Sequence, residues 1–183
     1  MKLFEKNEVI KFFVEIIVVV VVTIFIFHSV IIPVKVDGDS MYPTVHDEDN
    51  AIVNAINLDE DGIKRFDIIV LQCDQLNKKI IKRVIGLPGD VIVYRNDKLY
   101  INGIYYEENF LNQEYIKEAK KQYNFELFTN DFEATVGEGE VFVLGDNRIK
   151  SSDSRVFGTF KYSSILGKEG MIVFPFNRIK WLF

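Results

Sequence analysis

Histidine, cysteine and tryptophan are scarce in this chain: its 183 residues hold two, one and one. The lone cysteine, Cys73, excludes any disulfide within the chain. It ends the run Ile68-Ile69-Val70-Leu71-Gln72-Cys73, which reads as a strand end, and packing is a plainer account of it than nucleophilic chemistry. Two histidines leave little choice for the usual general base of hydrolytic chemistry. His28 falls in an apolar stretch, and His46 sits in the polar run His46-Asp47-Glu48-Asp49, which reads as a solvated loop. A Ser–His–Asp arrangement through His46 stays open as a minor alternative. Basic clusters are missing too. Lys78-Lys79 and Lys120-Lys121 are isolated doublets in a chain of net charge -5. Nucleic acid asks for a clustered basic face, so it is not an expected partner. The sequence also lacks repeats, low-complexity tracts and sustained helical periodicity beyond its N-terminal segment.

What it does have is apolar residues, 48% of the total, and they are unevenly spread. Phe12 to Ile32 is a nearly unbroken apolar run of about 21 residues, roughly 30 Å as a helix, one bilayer core. Valine and isoleucine dominate it and form helices poorly in water. Lipid removes the option of hydrating the backbone, so the run is expected as one transmembrane helix. A cleavable secretory signal is the rival reading, but its apolar core is shorter and ends in small residues, whereas Val30-Ile31-Ile32-Pro33-Val34 comes next here. Lys2, Lys6 and Lys11 precede the run, and only Lys35 lies close behind it. The positive-inside rule then places the N-terminus in the cytoplasm and everything after Pro33 outside, on a single-pass cell-membrane protein. Glu15 and His28 lie near the two ends of the run, where a structural role accounts for them. Trp181-Leu182-Phe183 is expected to pack on the core, with lipid contact as the alternative.

Beyond the run, strands and turns dominate. Ile80 to Ile85 is a branched extended stretch that stops at Gly86-Leu87-Pro88-Gly89, where Pro-Gly favours a type II turn. Val91-Ile92-Val93-Tyr94 reads as a strand. Leu99-Tyr100-Ile101, Asn102-Gly103 and Ile104-Tyr105-Tyr106 form a hairpin with a two-residue turn. Val141 to Leu144 and Met171 to Phe174 are further strands, and Gln113 to Tyr123 is a candidate short helix. The expected architecture is mainly β, an antiparallel core preceded by one transmembrane helix. Residues 1–33 form the cytoplasmic N-terminus and anchor, 34–94 and 136–183 the core, and 95–135 a small inserted cap.

Three islands carry the chemistry: Gly38-Asp39-Ser40-Met41-Tyr42-Pro43-Thr44, then Ile80-Ile81-Lys82-Arg83-Val84-Ile85-Gly86-Leu87-Pro88-Gly89-Asp90, then Gly145-Asp146-Asn147-Arg148 on to Ser151-Ser152-Asp153-Ser154-Arg155. On local grounds a turn explains Ser40 better than nucleophilic attack, which needs a base. Lys82 is a candidate base. Alternate residues of a strand share a face, so Lys82 lies with apolar Ile80 and Val84 while Arg83 points the other way. Desolvation there lowers the lysine pKa. At the free value only about 0.1% would be neutral at pH 7.5. An arginine could not serve, because it stays protonated. A lysine with its ammonium in water at a strand edge is the equal alternative from spacing alone.

Taken together, the islands and the apolar run resemble type I signal peptidases, of the short Gram-positive-like kind with one membrane span. The resemblance covers most of the chain. It implies that Ser40 attacks the scissile carbonyl, that Lys82 takes its proton, and that Ser151 orients the lysine amine. Asp153 and Arg155 would be a supporting ion pair, Arg83 and Asp146 a structural one, and Met41 and Ile81 walls of the substrate pocket. The implied substrates are secretory preproteins cut after Ala-x-Ala-type sites, with membrane lipid as the other partner and no metal or organic cofactor. Oligomeric state is not legible. Four positions, in three places, depart from the family pattern. Gly38 replaces a serine that helps hold the oxyanion in some members, so the hole would use the Ser40 N–H and another donor, backbone at Gly38 among the candidates. Ile149-Lys150 comes after Asn147-Arg148 where acidic or amide residues are usual, and Phe66 replaces a glycine. A self-cleaving Ser–Lys repressor-type protease and an inactive membrane-tethered binding module are the competing readings.

Overall fold

The structure, a computed structural model, describes residues 6–182, without the side chains of residues 6, 7 and 26–29. Lys2, the side chain of His28, and Phe183 lie outside the described residues. The chain opens with helix α1 (Lys6–Val30). Among the described residues, no helix is long and apolar enough to cross a membrane. The stretch of α1 with described side chains, 8–25, carries Glu8, Lys11 and Glu15 between its apolar residues. Those apolar side chains, from Val9 to Phe25, are nonetheless exposed. Ile31 and Ile32, the end of the apolar run, leave the helix. They begin β1 (Ile31–Lys35) and pair with Asn54 and Val53 of β2 (Asn50–Asn54). β-branched side chains suit a strand's pleated surface better than a helix's crowded turns.

The remaining strands are β3 (Ile68–Cys73), β4 (Lys78–Gly86), β5 (Val91–Arg95), β6 (Lys98–Ile101), β7 (Ile104–Tyr106), β8 (Phe132–Thr135), β9 (Glu140–Leu144), β10 (Phe160–Lys161), β11 (Ile165–Phe174) and β12 (Lys180–Leu182). Helix α2 (Gln113–Tyr123) precedes β8, and α3 (Ser154–Phe157) precedes β10. The main sheet runs β1-β2-β11-β3-β4-β9-β10, with β12 beside β11. A second sheet runs β7-β6-β5-β8. The strand pairs are antiparallel. The fold is therefore mainly β. The second sheet starts at Val91 rather than near residue 95, because a tight turn at Asn96-Asp97, both at positive φ, folds β5 directly onto β6.

Local chemistry explains the turns. Asn102 and Gly103 sit at φ 53° and 78°, the left-handed pair that a two-residue hairpin turn needs. Asn112 caps α2 by accepting the Tyr115 N–H, and Asn124 ends it in the left-handed region. Phe66 is the exception. It holds φ 74°, where glycine is comfortable and bulky residues are seldom found. Its ring packs against Phe110 and Tyr106, with centroids 5.1 and 6.3 Å away, which offsets the backbone cost by joining the two layers. At the C-terminus Leu182 is buried, as expected, but Trp181 is 64% exposed.

Candidate active site

The turn after β1 carries Ser40 and is held from several sides. Gly38 opens it at φ 91°, a conformation that favours glycine. The Gly38 N–H donates to Asp47 Oδ1 at 2.8 Å, so the donor suggested for an oxyanion is already engaged. Met41 points inward and is buried. Thr44 Oγ1 donates to Asp146 Oδ2, and Asn147 grips the turn twice, from its backbone N–H to Ser40 O at 3.1 Å and from Nδ2 to Asp39 O at 3.0 Å. The Ser40 N–H has no acceptor among the described residues. His46 sets its ring edge-on to Tyr42, with centroids 4.8 Å apart.

Lys82 comes from the middle of β4. Ile80 and Val84, its neighbours on the same face, are buried, and Lys82 itself is only 2% exposed. Its Nζ lies 2.6 Å from Ser40 Oγ and donates to Ile81 O at 2.9 Å. A neutral amine in that position keeps its lone pair for the serine proton. Burial pushes the Lys82 pKa down from 10.5 to about 8, against an upward pull from Asp153. Arg83, one residue on, faces away. Its Nε and Nη2 donate to the two oxygens of Asp146 at 2.8 and 2.7 Å, and Nη1 donates to Phe66 O. That paired fork is the geometry in which arginine binds carboxylate best.

The third island closes the site from above. Asp153 is fully buried, receives both Nε and Nη2 of Arg155 at 2.8 Å, and accepts the Gly145 N–H. Burial alone would raise its carboxyl, but Arg155 and the Gly145 N–H hold it below the usual carboxylate range. Ser151 Oγ is buried and has no hydrogen-bond partner. It lies near enough to Asp153 to favour that carboxylate, yet outside hydrogen-bond geometry. The expected bond from Ser151 to Lys82 is not made. The Lys82 amine instead turns to the Ile81 carbonyl. Gly145 lies between: a Cβ there would overlap both Ser151 Oγ and Ser40 O. Lys150, which follows Ile149, is exposed, and its Nζ sits 5.2 Å from the ring centroid of Tyr123 on α2.

Beside Ser40 runs a groove of about 490 Å³ between β1 and the first half of β4. Met41, Ile81 and Val36 contribute to its walls. β9 pairs with β4 only from Arg83 onward, so residues 78–82 present an open strand edge there. One supporting residue escaped sequence reasoning. Arg148 is wholly buried and reaches Glu108 and Tyr94 Oη of the second sheet's side with Nη atoms, while its Nε holds Gly145 O. It fixes the second sheet to the loop over the dyad. Its partners lie 40 and 54 residues away, so no local spacing could have announced them.

Known proteins resemble this chain over most of its length. The family model described as signal peptidase, peptidase S26, matches residues 8–174. The chain is 37% identical to signal peptidase I S of Bacillus subtilis (strain 168), over 96% of this chain and 95% of that one. It is 39% identical to a signal peptidase I of Bacillus amyloliquefaciens, over 96% and 94%. A solved signal peptidase I from Enterococcus faecalis V583 is 41% identical and covers 57% of this chain and 94% of its own, with a TM-score of 0.49. With a family match over nearly its whole length and relatives well above 30% identity, the chain belongs to the signal peptidase family, peptidase S26.

Proposed function

We propose that this peptidase removes signal peptides from exported preproteins, with Ser40 as nucleophile and Lys82 as general base. The observation that carries this reading is the 2.6 Å contact between Lys82 Nζ and Ser40 Oγ, made by a lysine that is almost fully buried. An extended substrate adds to the open edge of β4, its main chain hydrogen-bonded and alternate side chains facing Met41 and Ile81. That shape suits small residues at the first and third positions before the cut. Ser40 Oγ attacks the carbonyl as its proton passes to Lys82. The Ser40 N–H faces the developing oxyanion. The amine of the mature chain leaves with the proton from Lys82. Water then attacks the acyl-enzyme, again through the lysine, and frees Ser40.

The pH dependence derives from the burial of Lys82. The base works only when neutral, so kcat/KM should climb as pH rises through about 8 and level off above it. A profile centred near 10.5 would mean that the lysine is hydrated and would remove its assigned role. Ser151 supplies a second check. Buried hydroxyls seldom stay unpaired, and the proposed role for this one is to accept from the lysine once the amine is charged. Ser151→Ala should lower kcat/KM and move the profile; an unchanged profile would dismiss the orienting role.

The same reading places the enzyme on a membrane as a single-pass protein, its N-terminus cytoplasmic and its catalytic side outside. What supports this is the exposed apolar surface of α1, whose burial in lipid is worth about 25 cal/mol per Å². Trp181 and Phe176, 64% and 76% exposed, add aromatic surface, and Trp181 shares a small apolar pocket with Val30 and Ile31 at the end of α1. The full chain, mixed with phospholipid vesicles, should stay with them through an alkaline wash. Release into the wash would overturn the anchored reading.

A further inference from the structure

The groove beside β4 accounts for the residues before the cut, but a second cleft lies on the other side of Ser40. It has a volume of about 280 Å³ and sits between the nucleophile turn and helix α2. Asp39, Tyr42, Asn147 and Lys150 form one wall, and Tyr115, Glu118 and Tyr123 stand on the other. Asp39 and Lys150 also border the groove, so the two spaces meet at the nucleophile. The groove is lined by strand edges, with Val36, Met41 and Ile81 among lysines such as Lys78 and Lys79. The cleft is lined by hydroxyl, amide and charged groups.

We propose that this cleft receives the first residues of the mature chain, and that Glu118 on α2 selects among them by charge. The proposal rests on the peptidase reading of Ser40 and Lys82. A chain bound along the open edge of β4 with its scissile carbonyl at Ser40 Oγ must leave past Asp39, and the cleft begins there. The lining suits the start of a mature exported chain: a polar segment with unsatisfied main-chain groups. Asn147 is 1% exposed, and its Oδ1 is without a hydrogen-bond partner. A main-chain N–H entering the cleft would supply one. The walls hold together without substrate through the edge contact of Tyr42 with Tyr115, centroids 5.0 Å apart, so the cleft is preformed.

Its charge is lopsided. Asp39 and Glu118 supply two carboxylates, while the single ammonium, Lys150, is already seated against Tyr123. A basic side chain at the second or third position after the cut therefore meets attraction, and an acidic one repulsion. Both acids are exposed to water, which keeps the effect to about threefold.

The test uses the full chain and matched preproteins that differ only in carrying Lys, Gln or Glu at those two positions. The wild-type enzyme should process the Lys substrates about threefold faster in kcat/KM than the Glu ones. Glu118→Lys, an exposed change on α2, should invert that order, and Glu118→Gln should flatten it. Discrimination among residues before the cut should stay as it was in both variants. Cleavage of the whole series with the same ratios in wild type and Glu118→Lys would overturn the cleft assignment while leaving the peptidase reading intact. Cleavage of none of them by the wild-type enzyme would take down both.

Discussion

Lys82→Met should yield a folded protein that cleaves preproteins at least about 10²-fold more slowly and is more stable at pH 7 than the wild type. Methionine fills nearly the same volume as the lysine stem and needs no hydration. Loss of a general base costs about 10²–10⁴-fold. The stability gain has its origin in the same burial. Lys82 titrates at about 8 in the folded chain and near 10.5 when unfolded. Below pH 8 it is charged in both states, and the folded state alone bears the desolvation. Above 10.5 it is neutral in both, and the penalty is gone. The gap corresponds to about 3 kcal/mol, so the advantage of Lys82→Met should be largest below pH 8 and fade toward pH 10.5. Thermal melts across that range check the sign. A variant destabilised at every pH would show that the lysine is not held uncomfortably dry.

Gly145→Ala should be nearly as damaging to turnover, though it adds one methyl and touches neither dyad residue's side chain. The new Cβ would collide with the Ser40 carbonyl oxygen on one side and Ser151 Oγ on the other. Ser151 can turn its hydroxyl away, but its Cβ would still stand only 2.5 Å from the new methyl, and Ser40 O cannot yield easily. Ser40 O is held by the Asn147 N–H, and the Gly145 backbone is pinned by Asp153 through its N–H and by Arg148 through its carbonyl. Overpacking of this kind costs about 1–3 kcal/mol of stability. The larger effect is on geometry: a displacement of the nucleophile by about 1 Å costs about 10²-fold in rate. The loss should fall on kcat more than on KM, since Gly145 does not line the groove. Wild-type kcat in a folded Gly145→Ala protein would show that the wedge is not needed.

Local rules made much of this legible. The Asn102-Gly103 hairpin, α2 over Gln113 to Tyr123, and the shared face of Ile80, Lys82 and Val84 all derive from short-range geometry, and the fold contains each of them. The sequence could not show what depends on distant partners. Ile31 and Ile32 are as apolar as the run before them, and only the facing β2 makes them strand. The Gly38 N–H looks free until Asp47 folds back to accept it. Phe66 argues against a left-handed backbone until Phe110 and Tyr106 arrive to hold its ring. Arg148 stands in the third island without a role until β5 brings Tyr94 to its guanidinium. In each case the deciding energy lies in a contact that no window of neighbouring residues contains.

The join between α1 and β1 has a mechanical consequence. Val30 ends the helix, Ile31 begins the strand, and the Ala55 N–H fastens Val30 O to the sheet. There is no slack at that junction. β1 then climbs about 16 Å before the chain bends toward Ser40. If α1 sits in a bilayer as proposed above, the height of the blade above the lipid is set by the length of one short strand, as on a carpenter's marking gauge. Two or three flexible residues added after Val30 would loosen that setting and blur where the enzyme cuts, without changing a single atom of the dyad.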